Sequence, residues 1–279
     1  HRSMLAVTGK KEPDANADAL IWHADVRRML LTQKAIAEGG RAMIYAAAQT
    51  ADLMVDAGRR QDRATQDKHD DTLGFYTPIL KGFLTEMGLE AANLGIQVFG
   101  GHGYIHEHGM EQIARDARIA TLYEGTTGIQ ALDLLGRKVL LGTRGKCVRD
   151  FSRIMLRSAK AHWLAHGSIG RMARSTARRA IEWNLLTLRI MRRVGKDRDL
   201  VGSASVDYLM YSGYVMMAHF WVRQAAVAQT FLRNGKGAES AEFYRAKIQT
   251  AEFYFDRLLP RADAHRKSAL APTRSLMQM

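Results

Sequence analysis

At 279 residues the chain can bury a sizeable core in one or two domains, and its formal charge of +13 is strongly basic. Its one cysteine, Cys147, excludes an internal disulfide framework and fits a reducing, cytoplasmic setting, where it reads as a small packing residue rather than a nucleophile. Only four prolines occur, and the Ala-, Leu-, Met- and Arg-rich composition favours helix almost throughout, so the expected fold is all-α.

In chain order, His1-Arg2-Ser3 before Met4 reads as the remnant of a histidine tag and a cloning junction, with the chain starting inside a longer protein. No secretory signal pattern opens it. Met4 to Leu20 is polar and reads as a linker or surface loop, so residues 1–23 are set apart. A helix is expected from Ala24 or Asp25 to about Ala57, with Val26, Leu30, Ile36, Met43, Ala47 and Leu53 or Met54 on its apolar face. Gly39-Gly40 in mid-helix costs about 1 kcal/mol per residue relative to Ala, and a close helix–helix contact is the expected compensation. Gly58 to Asp71 reads as a charged loop. A second helix follows from about Thr72 to Phe99, with Leu80, Phe83, Leu84, Met87, Ala91, Leu94 and Val98 buried and Pro78 tolerated only near its first turns.

After a glycine turn, a short helix is expected over about Met110 to Arg118. Another begins after Glu124 and stops at Gly142. The segment 24–142 is thus a helical bundle. Residues 143–279 form a further helical domain, with helices at about Lys146–Ala165, Ser168–Arg193, Ser203–Arg233 and Ala238–Leu259, the last broken by Pro260. Trp163, Trp183 and Trp221 read as core anchors. The longest uncharged run, Tyr208 to Val222, is too short to span a bilayer and reads as a buried core helix.

The charge is concentrated. From Arg144 to Arg198 there are 15 Lys plus Arg against three acidic residues. This is a solvated basic face or a dock for an acidic partner chain, CoA phosphates or nucleic acid. Arg171, Arg174, Arg178 and Arg179 recur on one side of a helix, but no aromatic residue interleaves them as a base-stacking platform needs, which argues against nucleic acid. His23, His102, His106 and His108 lack metal-ligand spacing, so no metal site is expected. Arg115, Asp116 and Arg118 read as a structural ion-pair group.

The most informative stretch is Arg118-Ile-Ala-Thr-Leu-Tyr-Glu-Gly-Thr-Thr-Gly-Ile-Gln130. Glu124 stands between an apolar pair, Leu122 and Tyr123, and a helix that Thr126 or Thr127 can cap. A capping or dipole role is the ordinary reading of such a residue. A buried connection would instead raise the carboxyl pKa and suit it to general-base work near neutral pH. Upstream lies Gln97-Val-Phe-Gly-Gly-His-Gly-Tyr104, a turn and not a dinucleotide fingerprint, since no strand precedes it.

Together these two segments resemble the acyl-CoA dehydrogenase family, in which Q-x-F-G-G-x-G-Y and Y-E-G-T occur in this order and at about this spacing. The resemblance runs from about Thr8 to the C-terminus and is most specific between Met87 and Leu141. His23 to Leu31 is similar to a helix opening in the larger-subunit branch, and 143–279 resembles the extra helical domain of some members.

The resemblance implies α,β-dehydrogenation of an acyl-CoA thioester, with Glu124 taking the α-proton and FAD accepting the hydride. Gly125 then lies against the substrate and Thr126 contacts the flavin. Gln97, Gly100 and Gly101 meet the adenosine part of FAD bound mainly to a neighbouring subunit. Gly128 stands where several smaller members carry Gln. The implied partners are an electron-transferring flavoprotein and further copies of the same chain. The family's N-terminal helical domain and middle β-domain have no counterpart here, so the expectation is a C-terminal half with an incomplete flavin site and little activity alone. The alternatives are a basic DNA-binding module and an inactive interaction module.

Overall fold

The computed structural model describes residues 8–235 and 237–278, and every regular element among them is helical. After a 3-10 turn at Leu20–Trp22, α1 (Ala24–Arg59) and α2 (Arg63–Phe99) form a long antiparallel hairpin. The turn α3 (Gly101–Tyr104) and the 3-10 turn His106–His108 lead to α4 (Met110–Ile119). Next, α5 (Thr127–Leu132) runs straight into a π-helical stretch, Asp133–Gly142. The second half contains α6 (Lys146–Ala161), α7 (Ser168–Val194), α8 (Leu200–Asn234) and α9 (Ala241–Phe253), which ends in π-helical Tyr254–Leu258. Two short helices, α10 (Arg261–Ser268) and α11 (Arg274–Met277), close it. None of the described helices is long and apolar enough to cross a membrane.

The helix α8 is the axis of the molecule. Leu209 to Val222 are buried without interruption, as expected for the uncharged run, and α8 packs on α1, α2, α5, α7, α9 and α10. One hydrophobic cluster therefore holds residues from both sides of position 142, including Ile36, Phe83 and Leu135 with Trp183, Tyr211 and Trp221. Glycines let the helices approach. A Cβ on Gly39 would lie 2.6 Å from Trp221 Nε1, and one on Gly40 3.3 Å from Leu84 Cδ2. This is the close contact that the mid-helix glycines predicted. Trp221 Nε1 donates to the Ala35 carbonyl in the same crossing (3.3 Å).

Four sequence expectations need correction. The charged stretch after Gly58 is mostly helix, because Asp62 caps α2 by accepting from the Thr65 amide (3.1 Å), leaving only residues 60–62 as a link. Pro78 is consequently the sixteenth residue of α2, deep in its interior. The proline removes the helical donor of Gly74, and Lys138 Nζ lies against that glycine. Trp163 is exposed in the α6–α7 turn, whereas Trp183 and Trp221 are fully buried. On α1, Leu30 and Leu53 face outward, and Met29 takes the core position beside Val26. The tag remnant lies outside the described residues.

Candidate functional site

The connection between α4 and α5 is built from short-range hydrogen bonds. Leu122 and Tyr123 amides both donate to the Ile119 carbonyl (3.0 and 3.2 Å), ending α4 in a tight turn. Arg118 reaches Thr121 Oγ1 (3.1 Å), and Asp116 accepts from Gln112 (2.8 Å). Asp116 and Arg118 thus bond neutral partners, the first within α4 and the second at its end, and among the described residues no ion pair joins them or Arg115, contrary to the ion-pair group expected. The Thr127 amide crosses the loop to the Thr121 carbonyl (3.3 Å). Thr126 is the cap of α5, its oxygen accepting from the Ile129 amide (3.3 Å).

Two consecutive left-handed residues form the apex: Glu124 at φ 51° and Gly125 at φ 96°. Gly125 is required by its backbone, and a side chain there would also displace the end of Gln130. Its φ disfavours any side chain, and a Cβ there would lie 2.5 Å from Gln130 Nε2, the atom that also donates to the Glu124 carbonyl (3.4 Å). Glu124 pays a conformational cost for its φ of about 1–2 kcal/mol. Contacts from α2 act on both ends of the loop: Lys81 donates to the Ala120 carbonyl and lies 5.0 Å over the Tyr123 ring, while Thr127 Oγ1 donates to Glu86 Oε1 (2.5 Å).

Glu124 is exposed, contrary to the buried connection expected from the sequence. The reason is visible around it. Leu122, Tyr123, Ile129 and Leu132, on the same loop and the helix that follows it, are also exposed. Lys81 and Glu86 are the residues that sequence reading missed. They lie about 40 positions from the loop, and nothing local to them signals it.

Gln97, Gly100 and Gly101 are exposed at the far end of α2. Gly100 has φ 65°, and nothing lies within 4 Å of a Cβ placed on Gly100 or Gly101, so their backbone is open to a ligand. Gln97 is 11 to 16 residues beyond the loop contacts at Lys81 and Glu86, roughly 16–24 Å along the helix axis. The structure thus brings Glu124, Gly125 and Thr126 together and holds Gln97, Gly100 and Gly101 apart from them. Cavities of about 610 and 770 Å³ lie elsewhere, the first between α1, α8 and α9 and the second between α2 and α6. Among the described residues no group of three or more His, Cys, Asp or Glu is placed to hold a metal. Cys147 lines the second cavity; burial pushes its thiol pKa up despite a hydrogen bond from Thr143, which fits a packing role.

The basic segment is partly consumed inside the fold. Buried Arg179 bonds Asp263 bidentately (2.6 and 2.7 Å) and also reaches Glu182 (2.8 Å), and Arg193 donates to the Leu270 carbonyl (2.7 Å). Most of the segment stays exposed, including Lys146, Arg149, Arg153, Arg157 and Lys160 as a stripe on α6 and Arg171, Arg174, Arg178, Arg189 and Arg192 on α7.

Residues 5–140 match the family model for the acyl-CoA dehydrogenase C-terminal domain, and residues 149–279 match the model described as acetyl-CoA dehydrogenase C-terminal like. A 3-methylmercaptopropionyl-CoA dehydrogenase of Ruegeria pomeroyi is 36% identical over 249 residues, 89% of this chain and 41% of that protein. The broad-specificity linear acyl-CoA dehydrogenase FadE5 of Mycobacterium tuberculosis is 31% identical over 251 residues, covering 85% of this chain and 39% of its own length. The chain spans about two fifths of these relatives. The fold matches a solved acyl-CoA dehydrogenase complexed with FAD from Bacillus anthracis, with a TM-score of 0.66 at 15% identity, covering 94% of this chain and 46% of that one. Motifs, helical architecture and both family models agree, and the chain belongs to the acyl-CoA dehydrogenase family, whose C-terminal helical domains it carries.

Proposed function

We propose that this chain supplies the proton-abstracting part of an FAD-dependent acyl-CoA dehydrogenase. The observation that carries the reading is Glu124, set on a left-handed residue in a loop braced at both ends by α2 and flanked in sequence by exposed apolar residues. An acyl-CoA α-proton is weakly acidic, so a base must meet it in a dry site with the thioester carbonyl polarised. Exposed Leu122, Tyr123, Ile129 and Leu132 are apolar surface that excludes water once it is covered. Gly125, without a side chain, leaves room for a flat acyl thioester beside the carboxylate.

The residues present fit an edge of FAD. Gly100 and Gly101 expose unobstructed backbone, Gln97 is free at the end of α2, and the Thr126 hydroxyl is exposed beside Glu124. The Glu124 loop and the Gln97 end of α2 lie apart, and on this reading each set serves a different flavin: Gln97, Gly100 and Gly101 would meet the adenosine part of one held mainly by a neighbouring copy. When bound, FAD supplies the hydride acceptor. On the family resemblance, the protein works as a homo-oligomer and passes its electrons to an electron-transferring flavoprotein.

The test is anaerobic bleaching of the flavin absorbance by a medium-chain acyl-CoA in the FAD-loaded protein that carries this chain. Glu124→Gln is expected to abolish bleaching while FAD stays bound, and retained bleaching refutes the assignment. With the 279-residue chain alone, added FAD is expected to stay free; bound flavin that bleaches would show this half to be sufficient. The exposed α6 stripe favours a second reading, a DNA-binding face, for which retention on DNA should fall steeply with log salt concentration.

A further inference from the structure

We propose that Lys81 and Glu86 of α2 are positioning residues for Glu124, an inference that rests on the reading of Glu124 as the base. The two side chains meet the loop on either side of its apex. On the entrance side, the Lys81 ammonium donates to the Ala120 carbonyl and sits 5.0 Å over the Tyr123 ring, the residue immediately before Glu124. On the exit side, Glu86 Oε1 accepts from Thr127 Oγ1 at 2.5 Å, three residues after Glu124. Between these points the backbone adopts the left-handed conformation at both Glu124 and Gly125. A glutamate disfavours that region, so a free loop relaxes out of it and swings the carboxylate to a different direction.

The loop's own bonds across the apex resist this relaxation only weakly. The amide of Thr127 to the Thr121 carbonyl spans the apex at 3.3 Å, and Gln130 reaches the Glu124 carbonyl at 3.4 Å, both at the long end of hydrogen-bond distances. The contacts to α2 involve a charged donor and a charged acceptor, which make the stronger hydrogen bonds. They also tie the loop to a rigid element, because the α2 turn that carries them includes fully buried Phe83 and packs on α8. A misdirected base loses rate steeply, whereas substrate affinity, spread over many contacts, changes little.

Two measurements test the clamp. In the 279-residue chain, amide hydrogen exchange at Tyr123 and Thr127 is expected to speed up at least 10-fold in Lys81→Met and in Glu86→Ala, with α8 amides and the thermal midpoint little changed. In the FAD-loaded protein carrying this chain, Lys81→Met should lower kcat 10- to 100-fold with KM within 3-fold. It should also raise the deuterium isotope effect on α-proton abstraction, and Lys81→Arg should restore most of the rate. A purely structural loss of active protein lowers kcat without moving the isotope effect, and that result overturns the proposal, as does unchanged exchange. Full activity in Glu124→Gln, with exchange accelerated as expected in the clamp variants, would instead overturn the base assignment and leave the clamp as a property of the loop.

Discussion

The His219 ring lies in the middle of α8, 2% exposed, with the Phe151 and Phe220 rings 5.6 and 5.2 Å away and no hydrogen-bond partner for Nδ1. Burial first, and the nearby Arg223 charge second, push its pKa down from 6.5 to about 4. Below pH 6.5 the unfolded chain protonates this histidine and the folded one does not. Its contribution to stability is therefore complete above pH 6.5, declines as the pH falls, and is exhausted near pH 4. A depression from 6.5 to about 4, at 1.36 kcal/mol per pH unit, amounts to about 3 kcal/mol. Other groups titrate in the same window, so the quantity to measure is a difference. Urea unfolding of the wild type and of His219→Leu at pH 7, 5.5 and 4 should show the wild type losing about 3 kcal/mol more than the variant between pH 7 and pH 4. Parallel pH profiles for the two proteins would refute the placement of a neutral, unpartnered imidazole in this core.

Two glycine substitutions should move stability in opposite directions. Both Gly88 and Gly213 lie within helices, where alanine gains about 1 kcal/mol in propensity. Nothing lies within 4 Å of a Cβ on Gly88, so Gly88→Ala should raise stability by about 0.5–1 kcal/mol. A Cβ on Gly213 would sit 2.1 Å from Phe83 Cγ, so Gly213→Ala should lower stability, the overpacking of about 1–3 kcal/mol exceeding the propensity gain. Denaturant midpoints of the pair decide it. Asp263→Ala removes the bidentate partner of Arg179, a guanidinium that is 3% exposed. With Glu182 still in place, the cost should be about 1–3 kcal/mol by the same assay, and Asp263→Asn should cost less.

Sequence alone determined the elements that depend on local pattern. The helical period placed α1, α4, α7 and α8 within a few residues, because core faces repeat every three or four positions whatever they pack against. Gly39-Gly40 announced a close crossing because an isolated helix has no use for two adjacent glycines, and the motifs around Glu124 marked the family. The start of α2 was legible in principle, since Asp62 is a cap, but a charged run without an apolar stripe hid it. The apolar period does not separate α8, buried all round, from α1, which leaves Leu30 and Leu53 outside; that depends on how many helices surround each.

The site was decided mainly by tertiary structure. Residue order put Glu124 before a helix capped by Thr126, yet its exposure follows from what packs around the loop. The described helices leave Leu122, Tyr123, Ile129 and Leu132 uncovered beside it. The grip of Lys81 and Glu86 on that loop joins positions about 40 residues apart. Such contacts follow from the way α2, α4 and α5 pack together. A local pattern records only what each helix requires of its own neighbours along the chain.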